Sequence, residues 1–255
     1  EIFEALGVLR TEELDALHRF DGAEQYFTRA VDFGYSFSVE ETLQKWDKET
    51  ALGDVVRMIR TIRPDVIAGL SPTGSGGGQH HQASAVLVRE AFALAADPTK
   101  YPEQIREGLR PWQPKKLYFM TNFGGPPDPR AETPARTLSI NLSGYDPLLG
   151  RTYAEVGTEA RSMHKCQGMA QLLSLPGPMA TTYWMAETAI PGQKARDERS
   201  MFDAVDSSIA GIAGFAGDAA PAPLRDGLAA IQASVTAAQQ AFDTQSDAET
   251  LAPLA

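Results

Sequence analysis

Two adjacent imidazoles, His80 and His81, close a glycine-rich run, Gly76-Gly77-Gly78-Gln79-His80-His81-Gln82-Ala83-Ser84. Neutral imidazole is the commonest metal ligand and a ready carrier of protons near neutral pH. A short apolar run, Asp65-Val66-Ile67-Ala68-Gly69-Leu70, precedes the glycines, and a helical pattern from Ala83 to Ala96 follows them. Strand, glycine-rich loop and helix is the order that places a ligand beyond the carboxyl end of a strand in an open α/β sheet. Adjacent residues entering a helix project about 100 degrees apart. One ring on a metal with the other facing a substrate therefore fits better than both rings on one ion. Catalytic zinc takes three protein ligands and a water. No Asp-Asp pair or second His-rich motif in this chain supplies the rest. An exposed loop with two solvated histidines is the other reading of the same residues.

A second group is His164-Lys165-Cys166-Gln167-Gly168. The pattern predicts a helix over Thr152–Met169, with Gly168 as its terminator. On such a helix His164 and Gln167, three apart, share a face and could reach one pocket. A solvated helix end is the simpler account. Cys166 lies beside Lys165 but has no recognisable histidine base, so it is set aside as a nucleophile. Arg10 and Asp32 flank apolar segments and, taken alone, read as surface residues.

The elements that must position these groups follow from periodicity. Val8–Phe20 has helical spacing with acidic residues near its start, which suits the helix dipole. Ala23–Val31 is aromatic and β-branched and predicts a strand. Ser38-x-x-Glu41 predicts a capping box, opening a helix over Val39–Arg60 with a break near Gly53, and Arg63-Pro64 stops it. A short helix is expected at Pro102–Gly108. Lys115–Thr121 and Arg136–Leu142 are the next strands, separated by a turn at Gly124–Pro129. Leu175–Gly192, with three prolines, reads as irregular. Met201–Phe215 and Pro223–Phe242 read as Ala/Gly-rich amphipathic helices outside the sheet. Helix–strand alternation predicts an α/β fold: a Rossmann-like, mostly parallel sheet flanked by helices. The sheet domain is placed at residues 1–192 and a C-terminal helical extension at 193–255.

Composition narrows the function classes. The net charge of -10 argues against a nucleic-acid backbone as partner. The single cysteine excludes an intrachain disulfide and a multi-cysteine metal site. No apolar run approaches the roughly 20 residues that a membrane helix requires. The chain opens on Glu1 in what reads as the middle of an element, so it is expected to be part of a longer product.

Assembled in order, these stretches resemble the PIG-L/LmbE family of zinc-dependent deacetylases. RTEEL at 10–14 resembles the Arg-x-x-Glu-Leu that opens a family helix, and DFGYS at 32–36 falls where the family places an aspartate after its next strand. IRPDVI at 62–67 resembles the helix-to-strand junction, and GGGQHHQAS the loop ending in the zinc-ligating histidine. RSMHKCQG at 161–168 resembles the later His-x-Ser-Gln stretch, with Cys166 in place of the serine. The run DFGYSFSVEETLQKW is most similar to a large, exported bacterial branch, which implies an extracytoplasmic location. The resemblance covers roughly residues 1–185.

It implies metal-dependent hydrolysis of the N-acetyl group of an amino sugar or glycoconjugate. Zinc is the implied cofactor and lowers the pKa of bound water towards about 7. His81 matches the metal ligand. Arg10, Asp32, His164 and Gln167 match positions that face substrate. Gly78 stands where the family has a further histidine, so His80 is the candidate to take over its catalytic role. The family signature His-Pro-Asp-Asp-Glu, with two zinc ligands and the general base, is absent and would precede Glu1. The resemblance thus implies a missing N-terminal segment of the same protein, carrying the first strand or strands. The alternative is a non-catalytic carbohydrate-binding or assembly module that keeps the fold.

Overall fold

The computed structural model describes residues 3–73, 78–121, 137–169, 177–193, 198–217, 219–242 and 251–254. The chain forms two compact units, Glu1–Met201 and Phe202–Ala255. The first therefore runs past the boundary expected at residue 192.

The first unit opens with α1, Phe3–His18, which begins earlier than the pattern from Val8 suggests. Ala5 and Leu6 are strong helix formers and extend it. The strand expected over Ala23–Val31 is absent: the segment is irregular. Its residues suit a strand, but its hydrogen bonds go to helix side chains instead of a ladder. Asp54 accepts from the Arg29 amide at 2.8 Å, and Trp46 Nε1 donates to Val31 O at 2.9 Å.

Helices α2, Val39–Trp46, and α3, Lys48–Ile62, follow. Ser38 caps α2 by accepting from Glu41 N at 3.0 Å. Glu41 reaches back one residue further than a capping box requires, to the Phe37 amide at 2.8 Å. The break falls at Asp47, with φ of 56°, not at Gly53. Gly53 sits inside α3 because a Cβ there would stand 2.9 Å from the Tyr101 ring. Arg63, in the left-handed region, ends α3 just before Pro64.

The sheet comprises β1 (Val66–Gly69), β2 (Lys116–Met120), β3 (Thr137–Asn141) and β6 (Ala180–Thr188), in the order β1-β2-β6-β3. A separate two-stranded ribbon pairs β4 (Tyr145–Asp146) with β5 (Arg151–Thr152). The four-stranded sheet is mixed, not mostly parallel. β1 and β2 are parallel, but β6 enters antiparallel between β2 and β3. This nine-residue strand lies in the segment expected to be irregular. Pro178 and Pro191 fall outside it, while Thr181, Thr182, Tyr183 and Trp184 inside it suit a pleated surface. The expected turn at Gly124–Pro129 lies outside the described residues.

Helix α4, Gln79–Leu94, is the middle layer. On one side Leu87, Ala91 and Ala95 pack with Ala51, Leu52, Val56 and Ile59 of α3. On the other, Ala85 and Phe92 meet Leu117, Phe119 and Trp184 of the sheet. Buried Arg60 grips the carboxyl end of α4. Its guanidinium donates to the carbonyls of Ala95 at 3.1 Å, Asp97 at 2.8 Å and Lys100 at 3.0 Å, and to Gln104 Oε1 at 3.0 Å. A cation there satisfies carbonyls that the helix leaves open and complements its dipole. The helix that bears His80 and His81 is fixed at its far end. Short α5, Pro102–Arg106, supplies Gln104.

The opposite face of β2 is held by a buried polar network. Lys116 Nζ donates to Glu198 Oε1 at 2.6 Å and to Met201 O at 3.2 Å. Tyr118 and Gln193 donate to the same carboxylate. Lys116 and Tyr118 share this face because they lie two residues apart on the strand.

The expected helix Thr152–Met169 ends sooner. Helix α6 spans Tyr153–Arg161, capped by a reciprocal Thr152–Glu155 box. A 3-10 turn, Lys165–Gln167, follows, with Gly168 at φ 64° ending it. In the second unit, the helix expected over Met201–Phe215 is instead a 3-10 helix at Ile209–Ala216, whose Gly211 and Gly214 disfavour an α-helix. Helix α7, Ala222–Gln240, packs on it. Among the described residues, no helix is long and apolar enough to cross a membrane.

Candidate functional site

The first turn of α4 follows the carboxyl end of β1, as the sequence pattern requires. Gly78 precedes it with φ of 82°, a conformation costly for any residue with a Cβ. His80 and His81 diverge. The His80 ring stands edge-on to Phe33, centroids 4.5 Å apart, and tilted against Trp46 at 5.2 Å. Its Nε2 is buried and has no hydrogen-bond partner among the described residues. His81 is exposed. The protein around it still removes enough solvent to lower its pKa, and neighbouring His80 lowers it further. Both effects favour the neutral ring, whose free lone pair can take a proton or a metal.

Asp32 reaches this region through its neighbour. Its carboxylate accepts from the Gly34 amide at 2.7 Å, closing a turn that presents the Phe33 ring to His80. The Asp32 side chain is itself exposed. The ring walls Phe33 and Trp46 were not legible as site residues, because neither carries a reactive group and their meeting with His80 spans distant segments. Lys45, with Nζ 4.3 Å from the Phe33 centroid, adds a cation to the same corner.

A second group forms between α1 and the 3-10 turn. Arg10 donates to His164 Nδ1 at 2.8 Å. A guanidinium has no lone pair to offer, so Nδ1 must be the acceptor and the neutral ring carries its proton on Nε2. Burial lowers the His164 pKa, and the charges of Arg10 and Arg161 lower it further. Glu13, also buried, pairs with Arg10 and accepts from the Cys166 amide. Glu13 carries no sequence signal of a site residue beyond its three-residue spacing from Arg10. Gln167 is exposed in the 3-10 turn and does not share an α-helical face with His164.

The structure thus sets Phe33, the neighbour of Asp32, against His80, and joins Arg10 to His164. No described contact joins one group to the other. Among the described residues, no cluster of three or more His, Cys, Asp or Glu side chains could hold a metal ion. His81 is exposed, Asp32 is engaged in its turn, and His80 Nε2 is enclosed. These residues do not make up a catalytic zinc set.

No family model matches the chain. Two curated proteins do match part of it. Both are amide-cleaving enzymes by name. Mycothiol S-conjugate amidase of Streptomyces coelicolor is 30% identical over 131 residues, covering 49% of this chain and 44% of the relative. The 1D-myo-inositol 2-acetamido-2-deoxy-alpha-D-glucopyranoside deacetylase of Streptomyces avermitilis is 32% identical over 151 residues, covering 55% of this chain and 48% of the relative. The chain spans about half the length of the curated relatives it matches.

Proposed function

We propose that this protein hydrolyses an amide, removing the acetyl group from an N-acetylated amino sugar or a conjugate of one. The observation that carries the reading is the exposed His81 at the start of α4, with its neutral form favoured, in a chain similar to an amidase and a sugar deacetylase. A neutral imidazole at the mouth of a strand–loop–helix crossing can accept a proton or hold a metal at pH 7. His164, its tautomer set by Arg10, offers Nε2–H as a neutral donor for a developing oxyanion or a sugar hydroxyl. Arg10, Asp32, His164 and Gln167 are assigned to substrate. Zinc at His81 and a catalytic role for His80 belong to this reading as proposals. The test is acetate release from N-acetylglucosamine and from its inositol glycoside, wild type against His81→Ala. Release that His81→Ala reduces at least a hundredfold supports the reading; release unaffected by that change removes His81 from it.

Two observations favour a second reading, a carbohydrate-binding or assembly module without catalysis. Gly78 stands where the resemblance places a histidine, and the enclosed His80 Nε2 has no access to a substrate in its place. Sugar binding without acetate release selects that reading.

A further inference from the structure

The carboxyl end of the sheet carries a second feature. β3 runs parallel to β2 because both are antiparallel to β6. The ends of β1, β2 and β3 at Gly69, Met120 and Asn141 therefore lie along one edge, as does the start of β6 at Ala180. The α4 side of the sheet is also the side that Ser139 and Asn141 face. Thr137 pairs with Trp184, whose ring meets Phe119 at 5.5 Å and packs in the cluster that α4 shares, and Ser139 and Asn141 continue the same alternation. Helix α4 packs against β2 and β6. Ser139 and Asn141 of β3 are exposed on that side, beside an open pocket of about 510 Å³ lined by Ser139, Asn141, Ser143, Pro178, Met179 and Ala180.

Its chemistry is specific. None of the six side chains is ionisable. Asn141 Oδ1 is taken by the Ser143 amide at 2.9 Å, which leaves Nδ2 with two donors to offer. Ser139 Oγ has no partner among the described residues. Ser143 is tied to the Met179 backbone, accepting at 2.6 Å and donating at 3.3 Å, so the wall is set in place. Pro178, Met179 and Ala180 supply an exposed apolar side. Hydroxyl and amide groups against a small apolar wall match a polyhydroxylated ring, which has polar edges and a C–H face. Among the described residues, a charged ligand finds no counter-ion here. The other described pocket differs: it is lined by Arg29, Arg57, Glu49, Asp54 and Glu103.

We infer that the Ser139–Asn141–Ser143 pocket is a binding subsite for a neutral polyol ring, the part of a sugar conjugate distant from its acetamide. This rests on the proposed hydrolysis of sugar amides for its role, though not for the binding itself. From β1 to β3 is three strand spacings, roughly 14 Å along the sheet edge. That span exceeds a single acetamido sugar but suits a sugar joined to a second ring, with its amide toward α4 and the second ring over β3.

The test is an NMR titration of the isotope-labelled protein with glucose, with myo-inositol and with inorganic phosphate. The Asn141 side-chain amide is identified by its loss in Asn141→Ala. Asn141 and Ser139 are both exposed, and unchanged melting temperatures confirm that their variants fold. At least one polyol should move the Asn141 amide and Met179 methyl signals, and phosphate should not. Loss of one hydrogen bond in Asn141→Ala or Ser139→Ala should weaken polyol binding roughly 2- to 10-fold. Absence of any shift with both polyols, an equal shift with phosphate, or unchanged affinity in both variants overturns the inference. Acetate release, measured separately, keeps the two readings apart. Polyol binding without acetate release leaves the subsite and removes the hydrolase. Acetate release without polyol binding does the reverse.

Discussion

The Arg10 guanidinium donates to His164 Nδ1 at 2.8 Å, across 154 residues of sequence. This contact sets the tautomer of the imidazole and, with burial and Arg161, favours its neutral form. Arg10→Met should therefore raise the His164 pKa towards the ordinary histidine value, since one of the two nearby cations that oppose protonation is removed. An NMR titration of the His164 ring protons reads this directly; an unmoved midpoint would show that the contact does not persist in solution.

The same direction gives a pH dependence of stability. Both His81 and His164 have lowered pKa values in the folded chain. The unfolded chain then binds more protons once pH falls below about 6.5, so stability declines on that side and is retained above it. Thermal melts between neutral pH and pH 5 should show the decline. In a His81→Gln, His164→Gln double variant it should be shallower, and an identical slope would assign the acid sensitivity elsewhere.

Lys116 and Glu198 form an ion pair whose side chains are 0% and 5% exposed. Glu198→Leu removes the Glu198 counter-charge from a buried ammonium, at a cost of about 3–5 kcal/mol in denaturant unfolding. Adding Lys116→Met should restore most of that loss, because an apolar pair of similar size is often as stable. A double variant no more stable than Glu198→Leu alone would mean that packing, not charge, holds the segment.

That network also decides where the chain tolerates shortening. A protein ending at Met201 keeps Gln193, Glu198 and the Met201 carbonyl on β2. One ending at Gly192 loses all three. The first should melt cooperatively; the second should unfold at markedly lower temperature or aggregate. Equal melting temperatures would contradict the fastening role of residues 193–201.

Several features were determined by sequence alone because their causes are local. The glycine that precedes α4 (Gly78), the Ser38 cap, the stop at Arg63-Pro64 and the strands near Val66, Lys116 and Thr137 each depend on residues within a few positions. The adjacency of His80 and His81, and their place after a strand, were legible for the same reason. Other features were decided by partners far away in the chain. Ala23–Val31 has strand-forming residues but no neighbouring ladder, so its hydrogen bonds went to Asp54 and Trp46. Ala180–Thr188 became an interior strand because β2 and β3 offered two open edges, whatever its flanking prolines suggested. The unequal fates of the two histidines belong here as well. Their ring directions follow from the helix, but only the meeting of Phe33 and Trp46 with His80 encloses one imidazole and leaves the other exposed. Periodicity records which residues seek burial; which surfaces bury them is a long-range choice made by packing.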